Sequence, residues 1–281
     1  MTAHEMVAKV RNLPPVSHAA LRLVGLLDRP EASNDEIVEV LKHDSVLTAK
    51  LLRACNSPAV GLVEPVTSVD QAVLMLGHSQ ILQMVTALAF GGAMAVQLPG
   101  YAIEANELWR HSLVTASAAE TIAAHGVELA EPSVAFTAGL LHDIGKLVMT
   151  QFLTEESQTA IRARVAQGVP TADAEREHFG TDHAEVGACL LYVWRLPEEI
   201  VESVANHHHP TVDPKPRLSA LSHLANCLAH LADTSPGWEA YALRGDERVI
   251  RLLALDATAI ERLIINVRES VEHLEKFMLP S

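Results

Sequence analysis

Apolar residues recur along the chain at helical spacing, and polar capping signals separate the runs. Residues 17–29 carry apolar positions three and four apart. Ser33-Asn34-Asp35-Glu36 reads as a capping box, with Ser33 as N-cap and Glu36 reaching back, and opens a helix to about Lys42. Asp44 or Ser45 caps the next helix, which runs through Cys55 and is broken by Asn56-Ser57-Pro58. Ser68-Val69-Asp70-Gln71 reads as a second capping box, and Gly77 suits the stop of its helix. A longer helix covers about 79–96, and Leu98-Pro99-Gly100 is the clearest internal break. Further helices are expected near 104–125, 132–150, 154–167, 172–178, 182–194, 198–208 and 216–231. A last amphipathic helix over about 257–277 carries Ile260, Leu263, Ile264, Val267, Val271 and Leu274 as its stripe. Strand-period alternation, internal repeats and low-complexity segments are missing. The pattern predicts an all-α fold of two packed helical lobes, 1–98 and 99–281.

Composition agrees. The chain has 281 residues, 49% hydrophobic and 4% aromatic, enough to bury a sizeable core. The formal charge of −14 repels phosphate backbones and anionic lipid, so neither non-specific nucleic acid nor a membrane surface is an expected partner. Cys55, Cys189 and Cys227 form no CxxC pair, and an odd, scattered set suits a reducing cytoplasm. The first residues, MTAHEMVAKVRNLPP, hold no apolar run of signal-peptide length. The most apolar stretch, 81–98, contains Gln83 and paired glycines and reads as a buried helix rather than a membrane span.

Candidate chemistry lies in the histidines, fifteen in all. "GLLHDIGKL" sets His142 and Asp143 side by side in an apolar run. Lys146 follows His142 by four residues, one helical turn on, and so shares its face. His111 lies in "ELWRHSLVTASAAE", His183 in "DHAEVGACLL", and His207, His208 and His209 end a helix. Asn226 lies in "LSHLANCLAH". Imidazole and carboxylate together suit Fe, Mn, Zn or Co, and inward faces of a helix bundle are a natural place to collect them. Adjacent His and Asp cannot share one face of a regular helix, but both can reach one ion from a helix end. Each residue has a plainer reading. His111 reads as a boundary histidine, His183 as a capping-region residue and the triplet as cations at a helix C-terminus. Lys146 reads as a solvated side chain. Taken singly, only the His142-Asp143 doublet favours a site; taken together, the set does.

That joint pattern resembles the HD superfamily of metal-dependent phosphohydrolases, "HDIGK" being the form of its HD-GYP branch. The first lobe narrows the likeness. "LPP", "HDSVLTAKLLRACNSP" and "SVDQAVLMLG" closely resemble the HDOD domain, the HD-related output domain of bacterial signalling proteins, over roughly 13–231. The resemblance implies one metal held at His111, His142, Asp143 and a late aspartate. It implies a second helped by His183, His207 and His208. It gives Lys146 a substrate phosphate as partner, so that Asp143 and Lys146 would be the catalytic pair of an active enzyme. The late aspartate position holds Asn226, a neutral and weaker ligand, which leaves Asp143 as the expected sole charged ligand. With a metal, such a site is cationic and attracts phosphate. Pro210 follows the triplet, and no DGxGYP-like segment appears.

The leading expectation is thus a bacterial, cytoplasmic signal-transduction module with a partly retained divalent-metal site. It would act through a protein partner or a nucleotide ligand rather than by efficient catalysis. A metal-dependent phosphohydrolase acting on a nucleotide or phosphodiester is the first alternative. A metal-free helical adaptor is the second. The charge yields a direct expectation: random-sequence duplex DNA gives no shift at micromolar protein and physiological salt in an electrophoretic assay. A salt-sensitive micromolar shift overturns that reading.

Overall fold

A computed structural model describes residues 1–13, 15–26, 33–58, 60–124, 130–210, 218–232, 236–238, 245–252 and 258–267. Among these residues the structure is helical throughout, with no strand. An isolated bridge joins Leu98 and Ile103.

The chain opens with α1 (Ala3–Lys9), capped reciprocally by Thr2 and Glu5. Then follow α2 (His18–Val24), α3 (Asn34–Lys42), α4 (Ser45–Cys55), α5 (Val69–Leu76) and α6 (His78–Met94). Ser33 and Glu36 cap α3 reciprocally, and Asp44 caps α4. Ser68 caps α5, but Gln71 accepts from the Thr67 N–H at 3.0 Å instead of reaching Ser68. The expected second box is therefore a one-sided cap. The loop after α4 is clamped by Asn56, whose amide donates to the Val66 carbonyl at 2.8 Å and accepts from its N–H at 2.7 Å. Residues from Ala20 to Val85 on α2–α6 form a first hydrophobic core.

A second, larger core gathers α7 (Glu107–Ala124), α8 (Pro132–Leu141), α9 (Lys146–Met149), α10 (Glu155–Val165), α11 (Thr171–Phe179), α12 (His183–Val193), α13 (Glu198–Asn206), α14 (Leu218–Leu231) and α15 (Glu247–Leu252). Packing does not follow chain order throughout. Ala3 and Met6 of α1 sit in this second core, and α6 spans both, with Ile81, Leu82 and Val85 in one and Ala87, Phe90 and Met94 in the other. Residues 258–267 are helical, and Leu263 and Val267 are buried in the second core. Val271 and Leu274 of the expected stripe lie outside the described residues.

The expected helix over 132–150 is two helices. α8 ends at Leu141, residues 142–145 turn, and α9 starts at Lys146. The cause is a long-range contact: a Cβ on Gly145 would stand 1.9 Å from the His183 carbonyl oxygen and 2.6 Å from the Gly187 nitrogen. Only a residue without a side chain lets this turn rest on the first turn of α12. Gly139 does the same for α8 against α7, where a Cβ would meet the Thr115 carbonyl oxygen at 2.8 Å.

Gly145→Ala should therefore destabilise the fold by about 3 kcal/mol, at the upper end of overpacking costs. Gly92→Ala serves as control, since its methyl meets nothing within 4 Å on an exposed helical site and should be neutral or stabilising by up to about 1 kcal/mol. Urea unfolding of both variants decides it. Equal midpoints would show that the backbone contact is not needed.

Candidate metal centre

The break after α8 turns two adjacent side chains inward. His142 and Asp143 are both fully buried. At the end of α8 the Gly139 carbonyl has no helical partner, and His142 Nδ1 takes it at 2.8 Å. A carbonyl can only accept, so Nδ1 carries the proton and Nε2 keeps its lone pair. The end of α13 repeats the device, with His207 Nδ1 on the Val204 carbonyl at 2.8 Å. Two helix ends thus fix two imidazoles in the tautomer that a metal needs.

Asp143 is the hub. Its Oδ2 lies 3.3 Å from His142 Nε2, 3.8 Å from His111 Nε2 on α7 and 2.7 Å from Lys146 Nζ. Its Oδ1 lies 3.2 Å from His183 Nε2, at the start of α12, and 3.8 Å from His207 Nε2. His208 Nε2 is 2.8 Å from His183 Nε2. Two donor groups result, sharing the carboxylate: Asp143 with His183, His207 and His208, and Asp143 with His111 and His142. In each, the ligand atoms lie within 4.8 Å of one another. Tetrahedral ligands about 2.1 Å from an ion stand about 3.4 Å apart, close to several of these separations. Asp143 Oδ1, His142 Nε2 and His207 Nε2 are buried and make no hydrogen bond. Such atoms are costly unless something else satisfies them. The donor set and these orphaned atoms fit a divalent transition metal.

The expected residues mostly come together. Asn226 is buried on α14 with an Oδ1 that makes no hydrogen bond. One turn later on the same helix, the His230 ring packs 4.8 Å from that of His111. Lys146 departs from expectation. The helix is broken between His142 and Lys146, so the lysine does not continue the His142 face; it is fully buried and pairs with Asp143.

Glu175 escaped the sequence reading. It is fully buried on α11, where its Oε2 accepts from His183 Nδ1 at 2.7 Å and from the His183 N–H at 2.8 Å. Tyr101 donates its hydroxyl to Oε1 at 2.7 Å. Nothing in "TADAEREHF" marks this glutamate, whose charged neighbours read as a solvated face. His230, by contrast, sits four residues after Asn226, a spacing that could have found it. Glu175 lies behind His183 and not among the candidate ligands, where Asp143 is the one carboxylate, and it adds a second buried acidic side chain beside the cluster.

Burial pushes His111, His207 and His208 well below the ordinary imidazole value, and neighbouring imidazoles push the same way. Burial would raise the Asp143 carboxyl, but His142 and Lys146 beside it hold it well below the usual carboxylate range. Burial would lower His183 too, yet the Glu175 carboxylate, helped by the Asp143 carboxylate 3.2 Å from its Nε2, lifts it to about 10. His183 and Lys146 thus face the Asp143 and Glu175 carboxylates.

Residues 13–210 match the HDOD domain family. An uncharacterized protein of Treponema pallidum (strain Nichols) is 22% identical over 240 residues, 84% of this chain; the chain spans 46% of that relative's length. An HDOD domain protein with unknown function from Geobacter sulfurreducens superposes with a TM-score of 0.71 at 26% identity, covering 99% of this chain and 97% of its own. A candidate phosphohydrolase from Shewanella amazonensis gives 0.73 at 24%, covering 99% and 98%. A candidate signal transduction protein from Marinobacter aquaeolei gives 0.74 at 21%, covering 98% and 64%. No helix among the described residues is long and apolar enough to cross a membrane.

The raised His183 has a measurable consequence. Its Nδ1 proton faces Glu175, so the second proton sits on Nε2, the atom that a metal would take. Metal binding there must release that proton, and affinity must rise with pH toward about 10. Calorimetric titration with Zn²⁺ at pH 7 should show a heat that varies with buffer ionisation enthalpy by about one proton released. A heat independent of buffer refutes it.

Proposed function

Because the chain belongs to the HDOD domain family, we propose that it is a signalling module built around a buried divalent-metal centre. It acts by binding a protein partner or a nucleotide, not by turnover. The observation that carries this reading is burial: His142, Asp143, Lys146, His183 and His207 are each 0% exposed. Hydrolysis needs an activated water and a scissile bond brought to the ion through an open coordination position. A site shut on these side chains offers a poor approach to a phosphodiester. Asn226 in place of a carboxylate and Glu175 as a second buried anion argue the same way. The former weakens one half of the site, and the latter removes much of the positive field that would draw a phosphate in. The Marinobacter relative's name points to signalling, and the Shewanella relative's name to phosphohydrolysis.

Metal analysis of untagged protein separates this reading from a metal-free adaptor. A screen of nucleotides and phosphodiesters with added Mn²⁺ or Fe²⁺ separates it from a phosphohydrolase. The expected rate is well below about 1 s⁻¹, the low end of ordinary enzyme turnover. Asn226→Asp adds a carboxylate on the His111 side of the site, so it should strengthen any ion bound there and raise any residual hydrolysis. Wild-type turnover at or above that rate replaces the signalling module with an enzyme.

A further inference from the structure

The two halves of the centre are not equivalent. We propose that it takes a single divalent ion, in the half formed by Asp143 Oδ1, His183, His207 and His208, and that the Lys146 ammonium is the resident cation of the other half. This rests on the metal-centre reading above and specifies its stoichiometry, position and metal class.

Donor number is the first argument. One half offers four ligand atoms, three imidazole nitrogens and a carboxylate oxygen; the other offers three. Four donors close a tetrahedral shell without water, the arrangement of structural zinc sites. An N₃O set favours Zn²⁺ or Co²⁺ over Mg²⁺ or Ca²⁺.

The two oxygens of the Asp143 carboxylate also differ in state. Oδ1 faces His183 and His207 and makes no hydrogen bond. Oδ2 already carries Lys146 Nζ at 2.7 Å. An ion beside His111 and His142 would share that oxygen with an ammonium, and like charges a few ångströms apart in a buried site repel strongly. Lys146 is fully buried, with the Tyr101 ring 6.0 Å from its Nζ, so its charge has no solvated place to withdraw to.

Orientation is the third. Glu175 grips His183 at both Nδ1 and the backbone N–H, and Tyr101 grips Glu175. A carboxylate behind a histidine fixes its ring and raises its basicity as a ligand. On the other side, α14 presents a neutral amide, Asn226, buried one turn from the His230 ring that packs on His111.

Full-length protein stripped with chelator is titrated with Co²⁺ and followed by visible absorption and bound-metal analysis, with circular dichroism confirming that each variant is folded. Wild type should bind one equivalent with the intense absorption of a tetrahedral ion. His208→Ala, at a half-buried position, should weaken Co²⁺ binding by at least the roughly 10- to 100-fold typical of lost metal-site partners. His111→Gln should keep one equivalent and its spectrum. Lys146→Met should admit a second equivalent. Two equivalents in wild type, loss of the ion in His111→Gln with retention in His208→Ala, or one equivalent only in Lys146→Met overturns the assignment while leaving a metal centre. A folded wild type that takes up no ion overturns both.

Discussion

One buried carboxylate governs the second lobe. Asp143 has no exposure, and five cationic or metal-seeking groups converge on its two oxygens. An isolated charge at such depth would be prohibitive, so its neighbours are obligatory. They come from α7, the end of α8, α9, α12 and the end of α13, parts of the chain from residue 111 to residue 207. Gly139 and Gly145 let the backbone approach closely enough for those side chains to meet, and the imidazoles at the ends of α8 and α13 use their spare nitrogens to satisfy orphan carbonyls. Fold and site are one construction: the helix ends that stop the elements are also the ligands.

Outer contacts extend the same logic. His223 on α14 donates Nδ1–H to the His207 carbonyl at 2.8 Å and accepts the Asp246 N–H at Nε2, 2.9 Å away. Burial holds this imidazole below its ordinary value, consistent with a neutral ring used at both nitrogens. Ser203 and Ser222 share a hydrogen bond between α13 and α14. The backbone that presents His207 is thus tied to α14 and, through it, to the start of α15.

Most helices were legible because their signals are local. Ser33, Asp44 and Ser68 cap where their types predict, and Gly77, with φ 80°, stops α5. The His-Asp doublet was legible because two polar residues interrupt an apolar run. The break at 142–145 was not, because Leu141, Ile144, Leu147 and Val148 continue a helical apolar pattern straight through it. The turn there rests against the His183 carbonyl, 38 residues beyond Gly145 in sequence. Glu175 was hidden for the same reason: its burial depends on His183 and Tyr101, and a charged nonapeptide carries no trace of either. Short α1 and α15 fell below the length at which periodicity speaks.

Charge balance joins these observations to function. The Asp143 and Glu175 carboxylates lie against Lys146 and His183, so the opposed groups of the metal-free cluster offset one another. An ion at Asp143 Oδ1 would exchange the His183 proton for a larger charge and would fasten α12 and α13 to the turn after α8. Binding to the folded state alone stabilises it by about 2.7 kcal/mol when the ion is at a hundred times its dissociation constant. That is a sizeable part of ordinary domain stability. Because α6 runs from the second core into the first, a tighter second core would restrain an element that both cores share. An ion buried at this depth would act on the packing around it more readily than it would meet a substrate.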